Sequence, residues 1–91
     1  MRFVDAALGI ATSMPTTLRH GPYRFYFYSY DCVERRHTHV DRENMSSKFW
    51  LEPDVALAEN HGFGRKEVRD LERIIRDHAE VLKREWDAFC E

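Results

Sequence analysis

His37-Thr38-His39-Val40 lies in the run Arg36 to Arg42, and the alternation of side chains along that run decides the fold. Successive side chains on a strand point to opposite faces. Thr38 and Val40 therefore fall on one side, and His37, His39 and Asp41 on the other, with Val40 marking the side turned to a core. Upstream, the turn signal Gly21-Pro22 precedes Tyr23-Arg24-Phe25-Tyr26-Phe27-Tyr28-Ser29, whose aromatics suit pleated, half-buried positions. Tyr23, Phe25 and Phe27 take one face there, and Arg24, Tyr26 and Tyr28 the other. Downstream, Ser47, Phe49 and Leu51 alternate with Lys48 and Trp50. The segment Tyr30 to Arg35 can close a hairpin between the first two runs, and the polar link Glu43 to Ser46 joins the second to the third.

Connections this short predict antiparallel neighbours. One face of the sheet then collects Phe25, Phe27, Val40, Phe49 and Leu51, which is a core. The other collects Arg24, Tyr26, Tyr28, His37, His39, Asp41, Lys48 and Trp50, a polar, aromatic and cationic surface expected to be open. Pro53 ends the third strand, and Val55-Ala56-Leu57-Ala58 reads as a fourth strand or a short helix leading to the turn Asn60-His61-Gly62. Beyond Gly64, a candidate N-cap with Glu67 three residues on, Val68, Leu71, Ile75, His78, Leu82 and Phe89 recur at helical spacing, with Ile74, Val81 and Trp86 at the margins. This predicts one long helix, or two short ones divided near Asp77-His78, laid over the core face. The expected fold class is α+β: a small three- to four-stranded antiparallel sheet with one face covered by C-terminal helices.

The chain is 91 residues long, which bounds it to one domain with a modest core. Its hydrophobic fraction of 43% beside 33% charged residues places it among globular chains. A formal charge of −2 excludes a global field drawing it to nucleic acid or an anionic membrane, so any such binding must be local. No apolar run approaches the roughly 20 residues that span a bilayer. Cys32 and Cys90 are far apart with no metal-ligand spacing around either, and a single possible pair is thin support for a secreted disulfide scaffold. Free thiols in a reducing cytoplasm are expected instead. Residues 1–13 carry one Arg before an apolar run broken by Asp5, a poor signal peptide. They read as a flexible extension or an upstream start, with a single α+β domain over 14–91.

The segments Met14-Pro15-Thr16, Arg19, Gly21 to Phe25, His37-x-His39-Val40, Lys48 to Leu51, Leu57-Ala58 with Asn60, Gly62-Phe63, and the helical run to Trp86 and Phe89 together resemble the bacterial family of domains of unknown function numbered 4160. The resemblance covers residues 14–91. It implies a small cytoplasmic protein, often encoded beside another small protein in arrangements like those of toxin-antitoxin pairs. The family commonly carries prolines after an acidic residue just before the two histidines, where this chain has Glu34-Arg35-Arg36. That departure adds two positive charges and leaves the loop less rigid.

On the expected open face, His37 and His39 project the same way, roughly 6.5 to 7 Å apart, a separation that could straddle a phosphate. One imidazole as general base and one imidazolium as general acid would cleave RNA through its own 2′-hydroxyl. Arg24, Arg36 or Lys48 would neutralise the phosphorane, and Tyr26, Tyr28 or Trp50 would stack bases. A metal site from His37, His39 and Asp41 would need a further ligand such as His20 or His61, so neither metal nor cofactor is expected. Cys32 lacks an identifiable partner for thiol chemistry, and Cys90 sits where a helix dipole raises a thiol pKa. A helix-turn-helix over Val55 to Ile75 offers as many acids as bases and matches DNA poorly. The leading expectation is a protein-interaction module, because Tyr, Trp and Arg are enriched at such contacts. Its binding face comprises Arg24, Tyr26, Tyr28, Arg36, Asp41, Lys48 and Trp50, and its partner is a small protein encoded nearby or a second copy. The alternative is a metal-independent ribonuclease or RNA binder using His37 and His39.

Overall fold

The computed structural model describes residues 16–90; the N-terminal segment 1–13 lies outside them. Five strands, β1 (Thr16–His20), β2 (Tyr23–Tyr26), β3 (His37–Arg42), β4 (Met45–Trp50) and β5 (Ala56–His61), form one antiparallel sheet in sequence order. Two helices follow, α1 (Arg65–Asp77) and α2 (Ala79–Cys90). The fold is α+β, with a larger sheet than the three or four strands expected. The first strand is added because Gly21, at φ +59°, and Pro22 form a two-residue turn that pairs His20 with Tyr23. A positive φ at the first turn position suits glycine and matches the twist of a hairpin. The segment resolves in favour of strand from Ala56, after Val55, and the strand runs on through Asn60 and His61, where a turn was expected, pairing with β4 from Trp50↔Ala56 to Ser46↔His61 with one irregularity at Lys48/Phe49.

The register realises the two faces. Phe25 pairs with Val40 and Thr38 with Phe49, while Tyr26 pairs with His39, His39 with Lys48, and His37 with Trp50. Phe25, Val40, Phe49 and Leu51 join Val55, Phe63, Leu71, Ile75 and Leu82 in one buried cluster. Each such large apolar side chain contributes about 1.5–3 kcal/mol when fully buried. The turn into α1 is set at Asn60, whose side chain donates to the Phe63 carbonyl and accepts from the Phe63 amide. Gly62, at φ +113°, is required there because a Cβ would lie 2.7 Å from Met45 Cγ. The two helices separate at His78, whose Nδ1 donates to the Ile74 carbonyl at 2.9 Å and caps the end of α1.

Cys32 and Cys90 are joined in a disulfide with Cα atoms 5.5 Å apart across 58 residues. This corrects the expectation of free thiols, and with it the argument from thiols to a reducing compartment. The partner of Cys32 was hidden because only the turn of α2 back toward the β2–β3 connection brings Cys90 beside it. None of the described helices is long and apolar enough to cross a membrane.

Candidate functional site

The connection between β2 and β3 is more than a loop: Ser29–Val33 forms a 3₁₀ turn. Asp31 is built into it twice. Its amide donates to the Tyr28 carbonyl at 2.9 Å, and its Oδ2 accepts from the Tyr28 amide at 2.7 Å. The bridge from the next residue, Cys32, ties the turn to the end of α2. So held, Asp31 is buried at 3% exposure over the two β3 histidines. Its Oδ2 lies 2.9 Å from His39 Nε2, and its Oδ1 lies 3.3 Å from His37 Nε2.

His37 is fully buried, and Trp86 is why. That residue of α2, placed by the helical spacing at the margin of the core stripe, instead packs against the His37 ring at 4.9 Å and against Phe27 at 5.1 Å. The His39 and Trp50 rings complete the wall at 5.1 and 5.7 Å. His37 Nδ1 lies 2.8 Å from the Arg35 carbonyl, which can only accept, so this nitrogen carries a hydrogen. Nε2 is the ring nitrogen turned toward Asp31. It has no hydrogen-bond partner, and only Ser47 Oγ shares that condition among the buried side-chain atoms of the described residues.

His39 is the accessible member of the cluster, with 18% of its side chain exposed. It stacks on Tyr26 at 5.2 Å and meets Tyr28 edge-on at 5.2 Å. Burial favours the neutral ring and pushes its pKa down, against the pull of the Asp31 carboxylate in the opposite direction. Burial would raise the Asp31 carboxyl, but the Tyr28 amide and the two imidazoles hold it below the usual range. The cluster thus contains an ionised carboxylate facing two imidazole nitrogens.

The remaining residues expected on the binding face largely satisfy one another. Tyr26 is buried and donates to Asp41 at 2.8 Å, while Arg24 sits 3.6 Å from Asp41 and over the Tyr26 ring. Burial and the Asp41 bond raise the Tyr26 phenol well above its ordinary value. Lys48 pairs with Glu34 at 2.7 Å and lies 4.7 Å from the centre of the Trp50 ring, which Arg35 also covers. Arg36 is drawn off by Glu52 and Asp87, at 3.0 and 2.7 Å. His20 lies against His78, and His61 beside Glu59. The face expected to be open is closed at His37. The acidic member of the histidine cluster is Asp31 rather than Asp41.

Asp31 and Trp86 are the residues that alternation could not find. Both reach β3 from segments whose approach depends on tertiary packing. The only local signal was an acidic residue in the segment preceding the His-x-His strand.

An antiparallel sheet followed by two C-terminal helices, with a largely buried Asp-His-His cluster under its β2–β3 turn, defines a small α+β domain whose candidate site lies at one end of the sheet. Residues 23–87 match the family described as Domain of unknown function (DUF4160), and the chain belongs to that family. No curated protein and no solved structure matches it.

Proposed function

We propose that this protein is a protein-interaction module whose contact surface is the 3₁₀ turn Ser29–Val33 and the sheet face beside it. The observation that carries this reading is the exposure of Val33 at 89% and Tyr30 at 70% on a turn that is otherwise tied down. Tyr30 stacks on Tyr28 with ring planes 5° apart, so the aromatic surface is already ordered before any partner arrives. Ordered aromatic and aliphatic side chains with a polar rim are what a small interface needs, and pre-organisation lowers the entropy cost of association. The cations beside the turn favour a protein partner over RNA. Arg24, Lys48 and Arg36 are each engaged by a carboxylate, and would have to give it up to meet a phosphate. The ribonuclease alternative further requires a phosphate between two accessible imidazoles. Here the rings are 5.1 Å apart, one is fully buried, and Asp31 bridges their Nε2 atoms.

The partner fitting this surface is a small protein with an apolar contact patch, for which the product of an adjacent gene is the first candidate. Size-exclusion chromatography with that product should show a complex, weakened at least about tenfold by Val33→Asp or Tyr30→Ala, with the unfolding midpoint of the free protein unchanged. A complex insensitive to both substitutions rejects the turn as the contact. Self-association in its place, weakened by the same substitutions, would identify the partner as a second copy.

A further inference from the structure

We propose that Asp31, His37 and His39 form a binding site for a divalent transition-metal ion of the zinc type. The inference goes beyond the interaction reading and does not depend on it. One ligand atom from each residue lies within 4.8 Å of the other two. The shorter separations are 2.9 Å from Asp31 Oδ2 to His39 Nε2 and 3.3 Å from Asp31 Oδ1 to His37 Nε2. Tetrahedral zinc with bonds of about 2.0–2.2 Å places neighbouring ligand atoms roughly 3.3–3.6 Å apart. The two short separations engage different Asp31 oxygens, so closing on an ion draws the set, now within 4.8 Å, inward by about an ångström at its widest.

The orphaned nitrogen is an independent sign of a missing cation. His37 directs Nδ1 to the Arg35 carbonyl, and its Nε2, without a hydrogen-bond partner, lies 3.3 Å from an Asp31 oxygen inside a fully buried setting. A buried polar atom left unpartnered in a low dielectric is costly, and a cation seated between it and the carboxylate would relieve that cost. A bound cation would turn that contact into ligation.

The surroundings also have the supports metal sites use. The Arg35 carbonyl orients the His37 ring through Nδ1, and the Tyr28 amide orients the Asp31 carboxylate. The rings of Tyr26, Tyr28, Trp50 and Trp86 pack around the histidines and leave only the His39 side partly exposed. Two imidazoles and one carboxylate suit zinc and its first-row neighbours, whereas calcium and magnesium require more oxygen donors. Three protein ligands leave a further position, and the partial exposure of His39 places its access on that side. Water or a donor from a partner can fill it.

The test uses the full-length, disulfide-intact protein with any affinity tag removed, stripped with chelator and titrated with Zn²⁺ by calorimetry and with Co²⁺ by visible absorption. One equivalent should bind, with the ligand-field bands of low-coordinate cobalt and a rise in unfolding temperature. Asp31→Asn and His39→Gln should each weaken Zn²⁺ at least about tenfold, comparable to disturbing the support of a metal site. His20→Ala with His61→Ala should leave the affinity unchanged. Stripped variants with wild-type circular dichroism separate ligand loss from misfolding, and a variant that does not fold is replaced by Asp31→Glu, which keeps the donor but moves it. Failure to bind either ion, or binding unaltered by changes at Asp31 and His39, overturns the proposal. Partner binding is measured separately, so the interaction reading and the metal site can each fail alone.

Discussion

Two carboxylates each tie the β2–β3 pair to another part of the fold, and they do so in opposite ways. Glu67, on α1, receives Arg42 through two hydrogen bonds of 2.8 and 2.9 Å and the Tyr23 hydroxyl at 2.5 Å. Each of its oxygens meets a donor, and the group stays partly in contact with water. Asp31, in the 3₁₀ turn, is buried, accepts the Tyr28 amide and faces His39, but sets its other oxygen against a nitrogen with no hydrogen-bond partner. The first arrangement is finished and positions a helix. The second is unfinished, in a place where leaving a polar atom unpaired is expensive. The difference is that Glu67 is satisfied by the side chains around it, whereas beside Asp31 a buried histidine nitrogen has no hydrogen-bond partner, which is the gap the proposed ion would fill.

The largest expected effect comes from removing the wall that keeps the second arrangement buried. Trp86 is 5% exposed and touches both His37 and Phe27. Trp86→Ala should cost about 3–5 kcal/mol, as large-to-small changes in packed cores do, read from urea unfolding. Amide exchange should rise in the 3₁₀ turn and at the start of β3 while the Arg42–Glu67 end of the sheet keeps its protection. Uniform loss of protection would show that the two ends are one cooperative unit and would remove the energetic basis of the contrast.

Next in size is the Cys32–Cys90 bridge, which anchors the Asp31 turn and has no counterpart near Glu67. Reduction, or the double variant Cys32→Ala/Cys90→Ala, should cost about 2–4 kcal/mol by releasing a long loop in the unfolded chain. It should also weaken Zn²⁺ binding, because Asp31 would then be held only by its hydrogen bonds within the turn. Unchanged metal affinity in the double variant would mean that those bonds position Asp31 without the bridge.

The contrast also marks what sequence reasoning could reach. Tyr23, Phe25 and Val40 follow from alternation, and the helical character of the C-terminal third follows from spacing, because each is set by the local period of side chains, whereas spacing leaves open the choice between one helix and two near His78. The composition of the site face, from Arg24 through Trp50, follows in the same way. Its closure does not. Asp31 reaches the histidines because a 3₁₀ turn folds back over the sheet, and Trp86 because α2 extends to the end where β3 begins. Both are long-range placements with no periodic signature. The disulfide is likewise invisible until Cys90 is brought beside Cys32. Composition misled there, since two cysteines read more readily as free thiols than as a bridge.

The smallest expected effect tests the finished side. The Arg42 and Tyr23 hydrogen bonds to Glu67 hold its carboxyl below the ordinary glutamate range. A carboxyl whose pKa is depressed by folding contributes stability above its unfolded value, near pH 4.3, and that contribution is lost as the pH falls through the lower folded value. Glu67→Gln should therefore lower the unfolding temperature modestly at pH 6 to 7, since a partly solvated ion pair is screened. Below about pH 4 the difference from wild type should shrink as wild type itself takes up the proton. Parallel melting curves at several pH values check this. A Glu67→Gln deficit that persists undiminished into acid would mean that Glu67 acts through packing rather than charge, and the contrast with Asp31 would then rest on burial alone.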